Sequence, residues 1–169
     1  MLWPMKLKRI TEGLDISAAI WAGLLAGILF LVALLLSSNS QIGESDLVWR
    51  MIAAIVQGEE ALDPMVAMDN GLLAAALLVH GALSILFGVL IALVIHRWGL
   101  LVGFLGGGLL GFFLYGINFF SMSFFFPWFY PLRSASWLIG HLIFGAAAGS
   151  IYELLEINDE EKSKLAGAA

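Results

Sequence analysis

The stretch "LLAAALLVHGALSILFGVLIALVI", Leu72 to Ile95, runs 24 residues without a Lys, Arg, Asp or Glu. At 1.5 Å per residue such a helix is about 36 Å long, enough to cross the roughly 30 Å hydrocarbon layer of a bilayer. Three further windows qualify: Ile16–Leu36, Leu100–Phe120 and Ala135–Leu155. The first acid met in any of them is Glu153, near the end of the last. Over all 169 residues the chain is 61% hydrophobic and 12% charged, with mean hydropathy +0.96. So few polar residues cannot coat a water-soluble globule of this size. Lipid leaves no water for unpaired backbone groups, and the strands of a membrane barrel would alternate rather than run continuously apolar. The expected fold is therefore an all-α integral membrane protein: four transmembrane helices in an antiparallel bundle, one domain over residues 1–157, followed by a solvated tail at 158–169.

The net charge of −5 matters less than where the charges lie. Lys6, Lys8 and Arg9 precede the first apolar run. The segment between the first two runs holds Glu44, Asp46, Glu59, Glu60, Asp63 and Asp69 against Arg50 alone. Arg97 follows the second run, Arg133 precedes the fourth, and Lys162 and Lys164 lie in the tail. Counting Lys and Arg by side puts both termini in the cytoplasm. The basic start resembles a signal peptide, but its apolar run is too long and no small-residue cleavage site follows, so it is expected to stay as an anchor. With no Cys, disulfides and thiolate chemistry are excluded.

In the first outer segment, "DLVWRMIAAIV" spaces Leu47, Met51 and Ile55 as a helical stripe, with Arg50 and Gln57 away from it. A short interfacial helix over about 47–57 follows, lying on the membrane surface; the alternative is a re-entrant cap whose Arg50 points into the bundle. "HRWG" joins the second and third runs so briefly that a tightly packed hairpin is expected. The last connection, "NFFSMSFFFPWFYPLRSASW", carries two prolines and many rings. Trp128, Tyr130 and Trp137 fit an interfacial belt at the headgroup level. Phe124, Phe125 and Phe126 must bury themselves in lipid or in a neighbouring protein.

Lipid tails are as apolar as leucine, so helices in a bilayer associate where small residues let backbones come close. Gly99, Gly103, Gly107 and Gly111 recur every four residues in the third run, and Ala19, Gly23 and Gly27 do so in the first. The second run offers Ser84, Gly88 and Ala92, and the fourth Gly145 and Gly149. These stripes serve either a four-helix bundle or, for the long third row, a contact with another subunit.

Two histidines extend the stripes: His80, Ser84 and Gly88 are spaced by four, as are His141, Gly145 and Gly149. At 1.5 Å per residue they lie at similar depth, about 12 and 10 Å below the outer ends of their helices. The two hairpins are candidates for a parallel repeat, with two registers open: one pairs the histidines, and the other pairs "ILFG" with "LIFG" and separates them by four residues. An ionisable side chain at such depth marks a site, and its candidate partners are the other histidine, Ser84, Tyr115 and Asn118. Three uses compete. The rings form interhelical hydrogen bonds, they act as axial ligands of haem b, or they relay protons or ions. His96 and Arg97 read as headgroup anchors.

Soluble-enzyme chemistry has no foothold: there is no phosphate loop followed by Lys, no paired carboxylates, no nucleophile elbow, no zinc-spaced cluster and no basic face for nucleic acid. At "WRMIAAIVQGEEAL", "VHGALSILFGVLIALVIHRWG", "GFFLYGINFFSMSFFFPWF" and "HLIFGAAAGSIYELL" the sequence resembles a family of small bacterial four-helix inner-membrane proteins, over about Trp49 to Leu155. Some members carry labels akin to sodium:proline symporters, although transporters of that kind need more helices and a broken-helix site. The resemblance implies the topology and a bacterial inner-membrane location, and it brings no catalytic motif. The expected role is a non-catalytic accessory or assembly subunit of a larger membrane complex, with respiratory complexes among the candidates. A small homo-oligomeric channel or transporter comes second and a haem-binding electron carrier third. Expected partners are lipid and other membrane subunits or further copies of the chain; no metal or cofactor is expected apart from the haem alternative.

Overall fold

A computed structural model describes residues 13–37, 42–96 and 98–166, the side chains of 35, 37, 42–45 and 157–166 apart. Lys6, Lys8, Arg9, Arg97 and the side chains of Glu44, Lys162 and Lys164, on which much of the charge argument rests, lie outside the described residues. The helices are α1 (Ile16–Ser37), α2 (Ile42–Gln57), α3 (Asn70–Ile95), α4 (Leu100–Gly116) and α5 (Ala135–Ala166). A π-helical turn over Ile117–Ser121 prolongs α4, and short 3₁₀ turns follow it to Leu132. Four spans are long and apolar enough to cross a membrane: Ile16–Leu34, Asn70–Ile95, Leu100–Phe124 and Ala135–Glu156. The interfacial helix begins five residues earlier than its apolar stripe suggested. The last helix runs through most of the expected solvated tail, and its 32 residues make about 48 Å, well beyond a bilayer core.

Helix starts are capped as the sequence permits. Asp15 accepts from the Ala18 N–H at 2.9 Å, and Asp69 accepts from the Leu72 N–H at 2.8 Å. At the start of α4, Gly99 takes φ 84°, a conformation L side chains avoid, and it has no side chain to cap with. Glu153 of α5 supplies the cap from across the bundle: its carboxylate accepts from Trp98 N–H at 3.3 Å and Gly99 N–H at 3.0 Å. A negative charge there also meets the positive end of the helix dipole. Gly99 therefore leaves the packing row expected of it. A Cβ there would touch nothing, and its glycine serves the turn instead.

Nearby, the buried Tyr152 hydroxyl accepts from Asp15 N–H at 3.3 Å and donates to Glu156 at 3.3 Å. These bonds gather the starts of α1 and α4 and the latter part of α5 at one end of the bundle.

α5 is the central helix, packed most extensively on α4 and next on α1, while α1 packs on α3 and α3 on α2. Two seams have almost no side chain between the backbones. A Cβ at Gly107 would run into the Gly145 carbonyl, one at Gly145 into the Gly107 carbonyl, and one at Gly149 into the Gly103 carbonyl. Gly111 lies likewise on the His141 carbonyl. Between α1 and α3, a Cβ at Gly23 would run into the Ser84 carbonyl, one at Gly27 into the Ser84 hydroxyl, and one at Gly88 would come within 2.5 Å of Gly23 Cα. The two seams share a register. Ala19, Gly23 and Gly27 correspond to Gly103, Gly107 and Gly111 at a constant shift of 84, and His80, Ser84 and Gly88 to His141, Gly145 and Gly149 at 61. Of the two registers open in the sequence, the contacts follow the one that pairs the histidines.

α3 and α4 do not form the tight hairpin that "HRWG" suggested; their contact is sparse. Each has its small-residue face committed elsewhere, α3 to α1 and α4 to α5, so bulky side chains remain on the sides that face each other.

α2 also departs from the simple amphipathic reading. Arg50, expected at the membrane interface, is only 7% exposed, and the buried run is Arg50 to Ala54. Its guanidinium donates to the carbonyls of Ala61 (3.3 Å), Asp63 (3.1 Å) and Val66 (2.7 Å), tying the following loop over the helix. On the other side Leu72 and Ala76 of α3 pack against Ile52, Ala53 and Ala54. With cover on two sides, no single stripe describes the helix.

The seams predict a clean contrast. Gly107→Ala should lower thermal stability in detergent micelles by about 1–3 kcal/mol, because the backbones must part. Gly81→Ala, where a Cβ meets nothing within 4 Å, should leave stability unchanged or raised by up to about 1 kcal/mol.

Candidate functional site: a histidine-lined cavity

The divergence of α3 from α4 leaves a cavity of about 370 Å³. Phe30 of α1, Phe144 of α5, Ile52 and Ile55 of α2, and Phe126 and Phe129 of the aromatic loop line it. Between Leu83 and Leu86 of α3 and Ile117 and Met122 beyond α4, all exposed lining residues, it opens sideways onto the apolar surface. Among the described residues its polar side chains are His80, Ser84, Asn118, His141 and the Trp137 indole, and none that lines it is charged.

Each polar group is held by the backbone geometry around it. His80 Nε2 lies 3.2 Å from the Gly27 carbonyl; a carbonyl only accepts, so this nitrogen carries the proton. Gly27 has no side chain to keep the ring away, and a Cβ there would come within 3.3 Å of Nε2. Ser84 donates back to the His80 carbonyl at 2.7 Å, so its hydroxyl proton is spent within α3.

His141 has the other tautomer. Nδ1 donates to the Trp137 carbonyl at 2.8 Å, and Nε2 accepts from the Asn118 amide at 3.1 Å. Asn118 lies in the π turn, where one extra residue in the coil alters the direction in which side chains leave the helix. Tyr115 and Phe119 meet the His141 ring edge-on, each with centroids 5.6 Å away.

The two histidines are not each other's partner. Phe30 stacks on His80 at 6.0 Å and presents to His141 in a T-shaped contact at 5.0 Å. This is not the arrangement of two axial haem ligands. Both Nε2 atoms are engaged in hydrogen bonds, and a phenyl ring packs against both imidazoles, so the residues present do not fit haem. His80 thus joins α3 to α1, and His141 joins α5 to α4. Nothing in the sequence distinguished Phe30 from the other apolar residues of its run. Glu153 was signalled as the lone acid of the last run, but its role needs the fold, because its partners lie more than fifty residues away.

The aromatic residues divide. The Trp128 indole donates to the Met51 carbonyl at 3.1 Å, fastening the last loop to α2. Trp137 is half-buried against Phe30 at 5.8 Å and Phe119 at 5.4 Å. Tyr130 is exposed, with the Arg133 guanidinium 3.1 Å above its ring. Phe124 and Phe125 project outward, 84% and 65% exposed, while Phe126 turns in to the cavity.

No family model matches the chain, and no curated protein or solved structure matches it.

The Asn118–His141 bond can be weighed by a double-mutant cycle. His141→Phe and Asn118→Leu should each destabilise the bundle, and the double variant should lose less than their sum. The expected coupling, read from thermal unfolding in micelles, is about 0.6–2 kcal/mol.

Proposed function

We infer that this chain is a multi-pass protein of the bacterial cytoplasmic membrane, with four antiparallel spans and both termini in the cytoplasm. It acts without catalysis, by binding a small apolar molecule inside the bilayer. The cavity between α3 and α4 carries this reading: it is apolar, has a few convergent polar groups, and opens toward lipid rather than toward water. Lys6, Lys8, Arg9 and Arg97 flank the spans on the side assigned to the cytoplasm, and the acid-rich segment around Glu59 and Glu60 lies on the other. Uncharged walls favour a neutral ligand over an ion, which ranks the channel alternative lower.

The accessory-subunit reading is kept in narrower form. The glycine rows face inward onto neighbouring helices of the same chain, so they do not supply the contact with a larger complex. Phe124 and Phe125 do offer one, standing out of the fold next in the chain to Phe126, which lines the cavity. The chain then acts as a ligand-holding component that a larger membrane complex, respiratory or other, docks on through these rings.

Topology is open to direct test because the chain has no cysteine of its own. A cysteine replacing Glu60 should react with a membrane-impermeant maleimide added to intact spheroplasts, and one replacing Lys164 should react only after the membrane is breached. The reverse pattern would invert the assignment. For the binding reading, a photoactivatable alkyl diazirine should label residues lining the cavity in the purified protein, and Leu86→Trp at its mouth should reduce that labelling at least fivefold. Labelling spread evenly over the lipid-facing helices, unaffected by the variant, would refute it.

A further inference from the structure

The shared register of the two hairpins exposes one inequality inside the cavity. In the second hairpin His141 uses both ring nitrogens, giving a proton to Trp137 and receiving one from Asn118. In the first hairpin His80 uses one. Its Nε2–H is bonded to Gly27, and Nδ1 is left with a lone pair that meets no partner among the described residues. Protein does not enclose this nitrogen: among the described residues, the one sealed and unpartnered side-chain polar atom belongs to His96. The two rings are turned differently: His141 meets Asn118 at Nε2 and its own helix at Nδ1, whereas His80 gives Nε2 to the Gly27 carbonyl of the neighbouring helix and so keeps Nδ1 over.

An acceptor left unmet in apolar surroundings is unfavourable, so this wall of the cavity is complementary to a proton donor. Asn118 has given one N–H to His141 and retains a carbonyl oxygen, a second acceptor lining the same space. Among the described residues the walls bear no charge to meet a phosphate, carboxylate or ammonium. The volume lies at the lower end of small-molecule sites, enough for a ring or a short piece of chain but not for a whole lipid. Whatever enters must therefore leave a tail outside, and the gap beside Leu86 and Ile117 is where the tail emerges.

We propose that the cavity holds the hydroxyl-bearing end of a neutral membrane lipid, His80 Nδ1 accepting the hydroxyl proton while the hydrocarbon tail passes between α3 and α4 into the bilayer. This rests on the cavity being a lipid-accessible binding site, as inferred above. The hydroxyl is either aliphatic, as in a diacylglycerol or a long-chain alcohol, or phenolic, as in an alkyl hydroquinone.

The test compares a long-chain alcohol carrying a diazirine close to its hydroxyl with the corresponding methyl ether, on the full chain in nanodiscs. The alcohol should label cavity residues with at least about tenfold higher affinity than the ether, and His80→Phe should abolish the difference while still admitting both. His80→Gln, which restores a carbonyl acceptor, should recover part of it. Equal affinity of alcohol and ether for the unaltered protein overturns the hydroxyl assignment and leaves the binding site standing; no cavity labelling by either overturns both. Because that comparison uses the unaltered protein, it decides even if His80→Phe fails to fold. Competition by dioleoylglycerol identifies the aliphatic source and competition by an alkyl hydroquinone the aromatic one, whereas competition by neither counts against a lipid headgroup and overturns the proposal.

Discussion

Backbone touching backbone is the constraint on which this molecule is built. At Gly107 and Gly145, and again at Gly23 and Ser84, helices approach so closely that a single added carbon would meet a carbonyl of the facing helix. In lipid there is no hydrophobic gain from hiding leucine, so such approach, with the dispersion contacts it permits, is what holds spans together. A helix has one small-residue face, and that face can be used once. α3 gives its face to α1, and α4 gives its own to α5. The remaining contacts follow from those two commitments, with α5 joined to α1 through Phe30, Phe144, Ala148 and Tyr152.

The cavity is the consequence of that allocation. α3 and α4 are joined by a short turn and cannot move far apart at that end, yet they have only bulky residues left to offer each other. Leu83, Phe87, Leu114 and Ile117 cannot interdigitate as closely as glycines do, and they line the space left between the helices. The cavity thus lies where the packing rule runs out of small residues. Glu153 contributes at the opposite end, where its bonds to Trp98 and Gly99 fix the start of α4.

Much of this was legible in the sequence, for definite reasons. The four spans follow from hydropathy alone, and the spacing of four in the small-residue rows names nearly every residue of the two seams. Gly99 was misread because a row of four cannot distinguish a helical glycine from one that enters the helix at positive φ. The cover over Arg50 was not legible because an amphipathic stripe presumes one buried side, and α2 is covered on two. The histidines stood out as titratable groups, but their partners did not. The Gly27 carbonyl is backbone and therefore invisible in a sequence, and Asn118 reaches His141 only because of a π turn that no residue pattern announces. Phe30, which meets both imidazoles, looks like any other ring in an apolar run.

Repetition then clarifies why the two imidazoles differ. Two hairpins with the same seam would, with identical side chains, present identical walls to the space between them. Position 118 lies off the seam, as does its counterpart 34, so the residue there changes without disturbing the helix contact. His141 meets an amide at Nε2 and its own helix at Nδ1, whereas His80 turns Nε2 to the Gly27 carbonyl and keeps a nitrogen unused among the described residues, although both sit over equivalent glycines. The seam fixes where the rings stand, and the residues beside it decide what the rings have left to bind.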